Sequence, residues 1–248
     1  MADTLYLSLW YPNLRFEAIP DKLTAVLGAF AAHGGESRVY AATVWPVNWS
    51  EPPVFQQVWG RRITVGGEGE TQLGADPAVA VEQATELLHE DFAYEFQIGW
   101  NLWEFETASG NAGPRDIGQA FDSPNGPPTH RDKAAMNGAQ PGQDDKLVGR
   151  WVRGPRLVRV TGYGPLFDEG AYEQDGHIRI DLGTDGPFLE EDAPLDQVGA
   201  RHVAENVQQL IGLAGAVEKA SGATARLLWS ELGESLAQRL AARLGVSN

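Results

Sequence analysis

The 248-residue chain contains no cysteine. That absence excludes disulfides, thiolate metal sites and a cysteine nucleophile. Positive charge is also scarce: 19 Lys and Arg stand against 34 Asp and Glu, for a formal charge of −15 and a pI near 4.7. A surface of that sign does not displace counterions from nucleic-acid phosphates and is repelled by anionic lipid. Neither nucleic acid nor a membrane is therefore an expected partner. The same charge favours solubility and speeds encounter with a basic protein. No apolar run approaches the roughly 20 residues of a membrane helix. The opening MADTLYLSLWYPN is acidic at Asp3 and too interrupted to read as a signal peptide. A cytoplasmic protein is the expectation, and the wealth of Ala, Gly, Arg and Val with few Lys suits a GC-rich bacterial genome.

Catalytic signatures are missing as well. No serine lies in a G-x-S-x-G elbow. Gly66-Gly67-Glu68-Gly69 lacks both the Lys-Ser/Thr of a phosphate loop and the spacing of a dinucleotide fingerprint. No cofactor and no metal is implied.

What is present is a globular share of apolar residues, 42%, which argues against wholesale disorder. The clearest pattern runs from Phe92 to Phe105. Phe92, Tyr94, Phe96, Ile98, Trp100 and Leu102 recur at every second position, with Glu95, Gln97 and Asn101 between them. That period predicts a strand with one buried and one wet face. Leu102 and Trp103 are adjacent bulky residues, so the strand is expected to bulge there or to be covered on both sides.

Leu5, Leu7 and Leu9 alternate with Tyr6, Ser8 and Trp10 in a second strand. Ile19, Leu23, Val26, Leu27 and Phe30 fall at helical spacing, with Gly34-Gly35 as a stop. Strands are predicted over Val39–Val47 and Val54–Trp59. Asp76-Pro77 predicts a helix start, and Val81, Ala84, Leu87 and Leu88 form its stripe. Further on, strands are predicted over Leu147–Val152 and Leu157–Tyr163, separated by a turn at Gly154-Pro155, and over His177–Leu182. A long helix follows Pro194, with Val203, Val207, Leu210, Ile211, Ala214 and Val217 on one face. Ala223–Trp229 reads as a strand, and Ser230 as the cap of a final helix bearing Leu232, Leu236, Leu240 and Leu244.

Residues 106–145 show no periodicity and read as a linker or a covering loop. They divide an N-terminal unit, 1–105, from a C-terminal one, 146–248. Both units contain a helix, a glycine break and a strand ending near Trp. Two related halves is one reading, and an ordinary connection used twice is the other. The predicted class is α+β, with mainly antiparallel or mixed sheets and helices packed on one face.

Two sets of residues are candidates for function. Asp175, His177, Arg179 and Asp181 would project from one strand face, where carboxylates orient an imidazole or hold a divalent metal. The plain alternative is a wet strand face with Arg179 screening the acids. Asp181 to Asp192 faintly echoes a calcium loop, but Gly183 replaces a ligand and Pro187 follows the turn glycine. Lys146, Arg150, Arg153, Arg156 and Arg159 form a basic stretch that either takes an anion or pairs with nearby acids. The second set is aromatic and polar. Eight tryptophans are many for this length, and Trp10, Glu95, Asn101 and Trp103 fall on open faces or near strand ends.

The composition favours a non-catalytic cytoplasmic binding protein that meets a protein partner, a basic one by charge, through an aromatic-bearing sheet face. In this general character it is similar to the immunity proteins that neutralise toxins. The alternative is a hydrolase, metal-dependent or not, using Asp175, His177 and Asp181.

Overall fold

The computed structural model describes residues 3–60, 74–107, 149–189, 196–231 and Arg239. The strands are β1 (Thr4–Trp10), β2 (Gly35–Pro46), β3 (Phe55–Val58), β4 (Phe92–Thr107), β5 (Gly149–Tyr163), β6 (Ile178–Thr184) and β7 (Ala225–Ser230). They build one seven-stranded sheet in the order β3-β2-β4-β5-β6-β1-β7. Every neighbouring pair is antiparallel. The helices are α1 (Ile19–Ala29), α2 (Pro77–Ala84), α3 (Ala171–Gln174), α4 (Gly186–Leu189) and α5 (Gln197–Ser221). The protein is thus α+β, as its patterning predicts. Strands from both sides of residues 106–145 share the sheet, and β1 lies between β6 and β7.

The two strand periodicities separate the faces. Leu5, Leu7 and Leu9 on β1 and Tyr94, Phe96, Ile98, Trp100 and Leu102 on β4 are buried in one core. Ile19, Leu23, Val26 and Leu27 of α1 and Leu210, Leu213 and Val217 of α5 complete it. Helix α1 crosses the sheet at Gly162, where a Cβ would stand 3.0 Å from a Leu23 methyl. The missing side chain lets helix and strand approach closely. Local chemistry sets the helix ends. Asp76 accepts a bond from the Ala78 amide at 3.0 Å with Pro77 in the first turn, and Asp196 accepts from Gly199 at 2.7 Å. A 3-10 turn, Phe30–His33, follows α1 and closes at Gly34 in the left-handed region, φ 78°.

Several local expectations are corrected. Gly154-Pro155 is not a turn. It lies inside β5, with Gly154 opposite Leu102 and Pro155 opposite Asn101. The Asn101 amide bonds to Gly34, away from β5, so Pro155 in turn faces away from β4. On that side β6 pairs only with Arg159–Gly162, and no ladder bond is lost to the proline. Nor does β4 bulge against β5 at Leu102-Trp103, since the register continues unbroken to Thr107. Glu106 and Thr107 therefore belong to β4, and most of the expected 106–145 connection lies outside the described residues. Helix α2 stops at Ala84, leaving Leu87 79% exposed rather than in a buried stripe. Ser230 ends β7, and the final helix predicted to follow it, with Leu232, Leu236, Leu240 and Leu244, lies outside the described residues.

Candidate functional site on the open sheet face

The positions that alternate with the core residues of β4, β5, β6 and β1 come into two cross-strand rows. Glu95 pairs with Thr161, Thr161 with Arg179, and Arg179 with Ser8. Gln97 pairs with Arg159, Arg159 with Asp181, and Asp181 with Tyr6. Residues directly opposite in register share a face, so both rows lie on the side away from the core. Between them opens a cavity of about 240 Å³ lined by Tyr6, Trp49, Glu95, Arg159, Thr161, Arg179 and Asp181.

Trp49 reaches this face from the β2–β3 connection. The chain turns there at Val47, a β-branched residue held in the left-handed region at φ 58°. Two backbone bonds hold it: Val47 N–H donates to the Asp91 carbonyl at 2.7 Å, and the Val47 carbonyl accepts from Asp168 at 2.9 Å. Trp49 then packs edge-to-face on Trp45, Tyr163 and Phe167 at centroid distances of 5.8, 6.2 and 5.0 Å. A small aromatic cluster forms on the open face, outside the main core.

The charges of the cavity differ in how fully they are engaged. Arg179 donates to Asp175 at 2.5 Å, and its guanidinium lies 5.2 and 5.5 Å from the Tyr6 and Tyr163 ring centroids. The Tyr6 ring also stacks on Trp229 at 4.6 Å. Arg159 lies 3.8 Å from Asp181, which accepts the Gly183 amide at 2.8 Å. Glu95 forms no direct ion pair among the described residues. Burial pushes its carboxyl above the usual range and Asp181 adds to that. Arg159, the Gln97 hydrogen bond and Arg179 pull the other way without overcoming it. Burial also raises the Tyr6 phenol, which donates to Glu231 at 2.7 Å. The buried Tyr163 hydroxyl is raised for the same reason and has no hydrogen-bond partner among the described residues.

Of the candidate residues singled out from sequence, Glu95, Arg159, Arg179 and Asp181 line this cavity and the others lie elsewhere. Trp10 donates from Nε1 to the Glu173 carbonyl at 3.0 Å. Asn101 donates from Nδ2 to the Gly34 carbonyl at 3.2 Å, tying β4 to the α1–β2 turn. Trp103 donates to Glu205 at 2.8 Å and stacks on His202 at 3.9 Å, because α5 runs past the edge of β4 there. These three make bonds within the fold.

Asp175, His177 and Asp181 each engage a different group. Asp175 binds Arg179 and Asp181 faces Arg159. His177 Nδ1 accepts the Tyr11 amide at 3.1 Å, and its ring stacks on Tyr172 at 4.1 Å. Burial lowers its pKa, with Glu173 opposing, so the neutral ring carries its proton on Nε2. That tautomer leaves no free nitrogen lone pair for a general base. Among the described residues no three His, Asp or Glu side chains are grouped to hold a metal ion. The echo of a calcium loop fails at Asp185, which is buried, accepts the Asp3 amide and pairs with Arg239. The basic stretch meets acids: Arg150 with Glu106 at 3.6 Å and Arg156 with Glu104 at 3.3 Å.

Tyr6 and Thr161 enter the site through strand register, for which local sequence carries no signal beyond their position between core residues, and the same register brings Arg159 and Arg179, candidates from two separate stretches, to one cavity. No protein-family model, no curated protein and no solved structure matches the chain.

Proposed function

We propose that this chain is a non-catalytic cytoplasmic binding protein that takes a protein partner on the open face of its sheet, as an immunity protein takes a toxin. The observation that carries this reading is a partly exposed cavity on the sheet face opposite the main core, with an aromatic rim and a carboxyl held at a cost in burial. Rigid aromatics around a small concavity suit the anchor of a protein interface. Leu227, opposite Ser8 on the same face, is 52% exposed and extends the apolar area to the sheet edge. The charge of −15 makes a basic partner the favoured one. No helix among the described residues is long and apolar enough to cross a membrane.

Affinity purification from the native host tests the proposal with paired surface variants. Arg159→Glu with Leu227→Glu alters the open face, whereas Val198→Glu with Ile211→Glu alters exposed positions of α5. A partner recovered at near-equal abundance with wild type and the α5 variant, and lost with the open-face variant, is the expected result. No such partner, or loss with the α5 variant only, would overturn it.

One observation favours a hydrolase as the second reading: Glu95 and Asp181 share a cavity, and Glu95 is biased toward its protonated form. In that version Glu95 would donate the proton in place of His177. Turnover of an ester or glycoside that disappears in Glu95→Gln would favour it.

A further inference from the structure

We infer that the cavity receives a basic side chain, lysine or arginine, of the partner, with Glu95 as its counter-ion; this rests on the open-face reading above. Two guanidiniums, Arg159 and Arg179, face three carboxylates, Glu95, Asp175 and Asp181. Arg179 is matched by Asp175 and has aromatic rings over its planes. Asp181 is matched by Arg159 and by a backbone amide. Glu95 is the carboxylate left over. Gln97, a neutral amide, hydrogen-bonds to it, and Arg159 and Arg179 act on it without a direct ion pair among the described residues, so these five charged groups carry one excess negative charge when Glu95 is ionised.

An incoming cation would neutralise that charge in a low-dielectric site, where such a contact is strongest. An incoming anion would have to displace Asp175 or Asp181 from its guanidinium first. The cavity of about 240 Å³ holds roughly eight waters at ~30 Å³ each, the space of one long side chain and not of a helix. Trp49 on the rim offers apolar surface to the methylene stem of such a side chain. The guest's chemistry is therefore a flexible apolar stem ending in a cation.

Four capped amino acids test this: the N-acetyl methylamides of lysine, arginine, norleucine and glutamate. Each is titrated into the full chain while the amide signals of Glu95, Thr161 and Asp181 are followed by NMR. Lysine and arginine should give saturable shifts at these positions, weakened by about tenfold or more in Glu95→Gln. Norleucine and glutamate should give none. Thr161→Leu, which fills the cavity with carbon and leaves Glu95 in place, should abolish the lysine response too. Equal responses to norleucine and lysine, an unaltered lysine affinity in Glu95→Gln, or no saturable shift with any probe would each overturn the inference. The outcome is separable from the reading beneath it. If Glu95→Gln retains full affinity for a partner that the open-face variant loses, the basic side chain is refuted and the face remains the interface. If the open-face variant retains the partner, the face itself is refuted.

Discussion

Asn206 is fully buried on α5, and its amide does the work of a missing strand. Strand β2 stops pairing with β4 at Trp100, which leaves the next outward-pointing backbone pair, at Trp103, without a neighbour in the sheet. Asn206 Oδ1 accepts the Trp103 N–H at 2.9 Å, and Nδ2 donates to the Trp103 carbonyl at 2.8 Å and the Pro187 carbonyl at 2.7 Å. Replacing it with leucine, of similar size, leaves one buried N–H and two carbonyls to find other partners. An abandoned buried polar group costs about 1–3 kcal/mol, with carbonyls toward the lower end because a second lone pair can be satisfied elsewhere. The expected loss is about 3–5 kcal/mol, a large part of the ~5–15 kcal/mol that holds a typical domain together. Urea unfolding of wild type and Asn206→Leu measures it directly, with an unchanged denaturant slope as the sign that the folded state kept its compactness. Hydrogen exchange at Trp103 gives the local readout, since its amide should lose protection while core amides of β4 keep theirs. A loss below about 1 kcal/mol with Trp103 still protected would show that Asn206 is not the cap of this strand edge.

Three further outcomes follow from named contacts. Burial raises the Glu95 pKa in the folded chain, so its contribution to stability is present at acid pH and lost as pH rises through the raised value; Glu95→Gln should therefore be more stable than wild type at neutral pH, with the difference shrinking on acidification in paired urea melts. Burial lowers the His177 pKa, which has the opposite sign: its contribution is present above the ordinary imidazole range and lost as pH falls through the depressed value. An NMR titration should place its midpoint below that of a free imidazole, and His177→Phe should flatten this part of the stability profile. Val47 is 53% exposed at φ 58°, so Val47→Asn sacrifices little burial and should stabilise the fold by up to about 1 kcal/mol in thermal melts, because asparagine tolerates left-handed backbone better.

The two faces of the sheet were legible in the chain because side-chain direction has a period of two. Leu5, Leu7 and Leu9 and Tyr94, Phe96, Ile98, Trp100 and Leu102 of β4 are core, and Glu95 falls on the opposite face as its spacing predicts. What could not be read is which strands are neighbours. Tyr6 meets Asp181 because β1 inserts between β6 and β7, a pairing of residues far apart in sequence with no local trace. Trp49 depends on a left-handed valine, a conformation that no sequence rule would assign to that residue type. Trp10, Asn101 and Trp103 show the limit of face parity. It tells which side a residue leaves the strand, but not that α3, the α1–β2 turn and α5 stand ready to bond with it. Turn composition misled at Gly154-Pro155 for a related reason, since a proline is excluded from a strand only where its N–H would be needed.

The open-face site joins local parity to long-range register. Alternation decides that Glu95, Arg159, Thr161, Arg179, Asp181 and Tyr6 point away from the main core and from α1 and α5, and strand order gathers them around one concavity. Site-specific photo-crosslinking in the native host tests most directly whether that concavity meets a partner. A photo-reactive phenylalanine replaces Gln56 or Leu227, at exposed positions flanking the cavity rows, or Ile211 on α5 as the opposite-layer control. The account predicts that one and the same protein is captured from positions 56 and 227 and not from 211. Capture from 211 alone, or from none of the three, would contradict it.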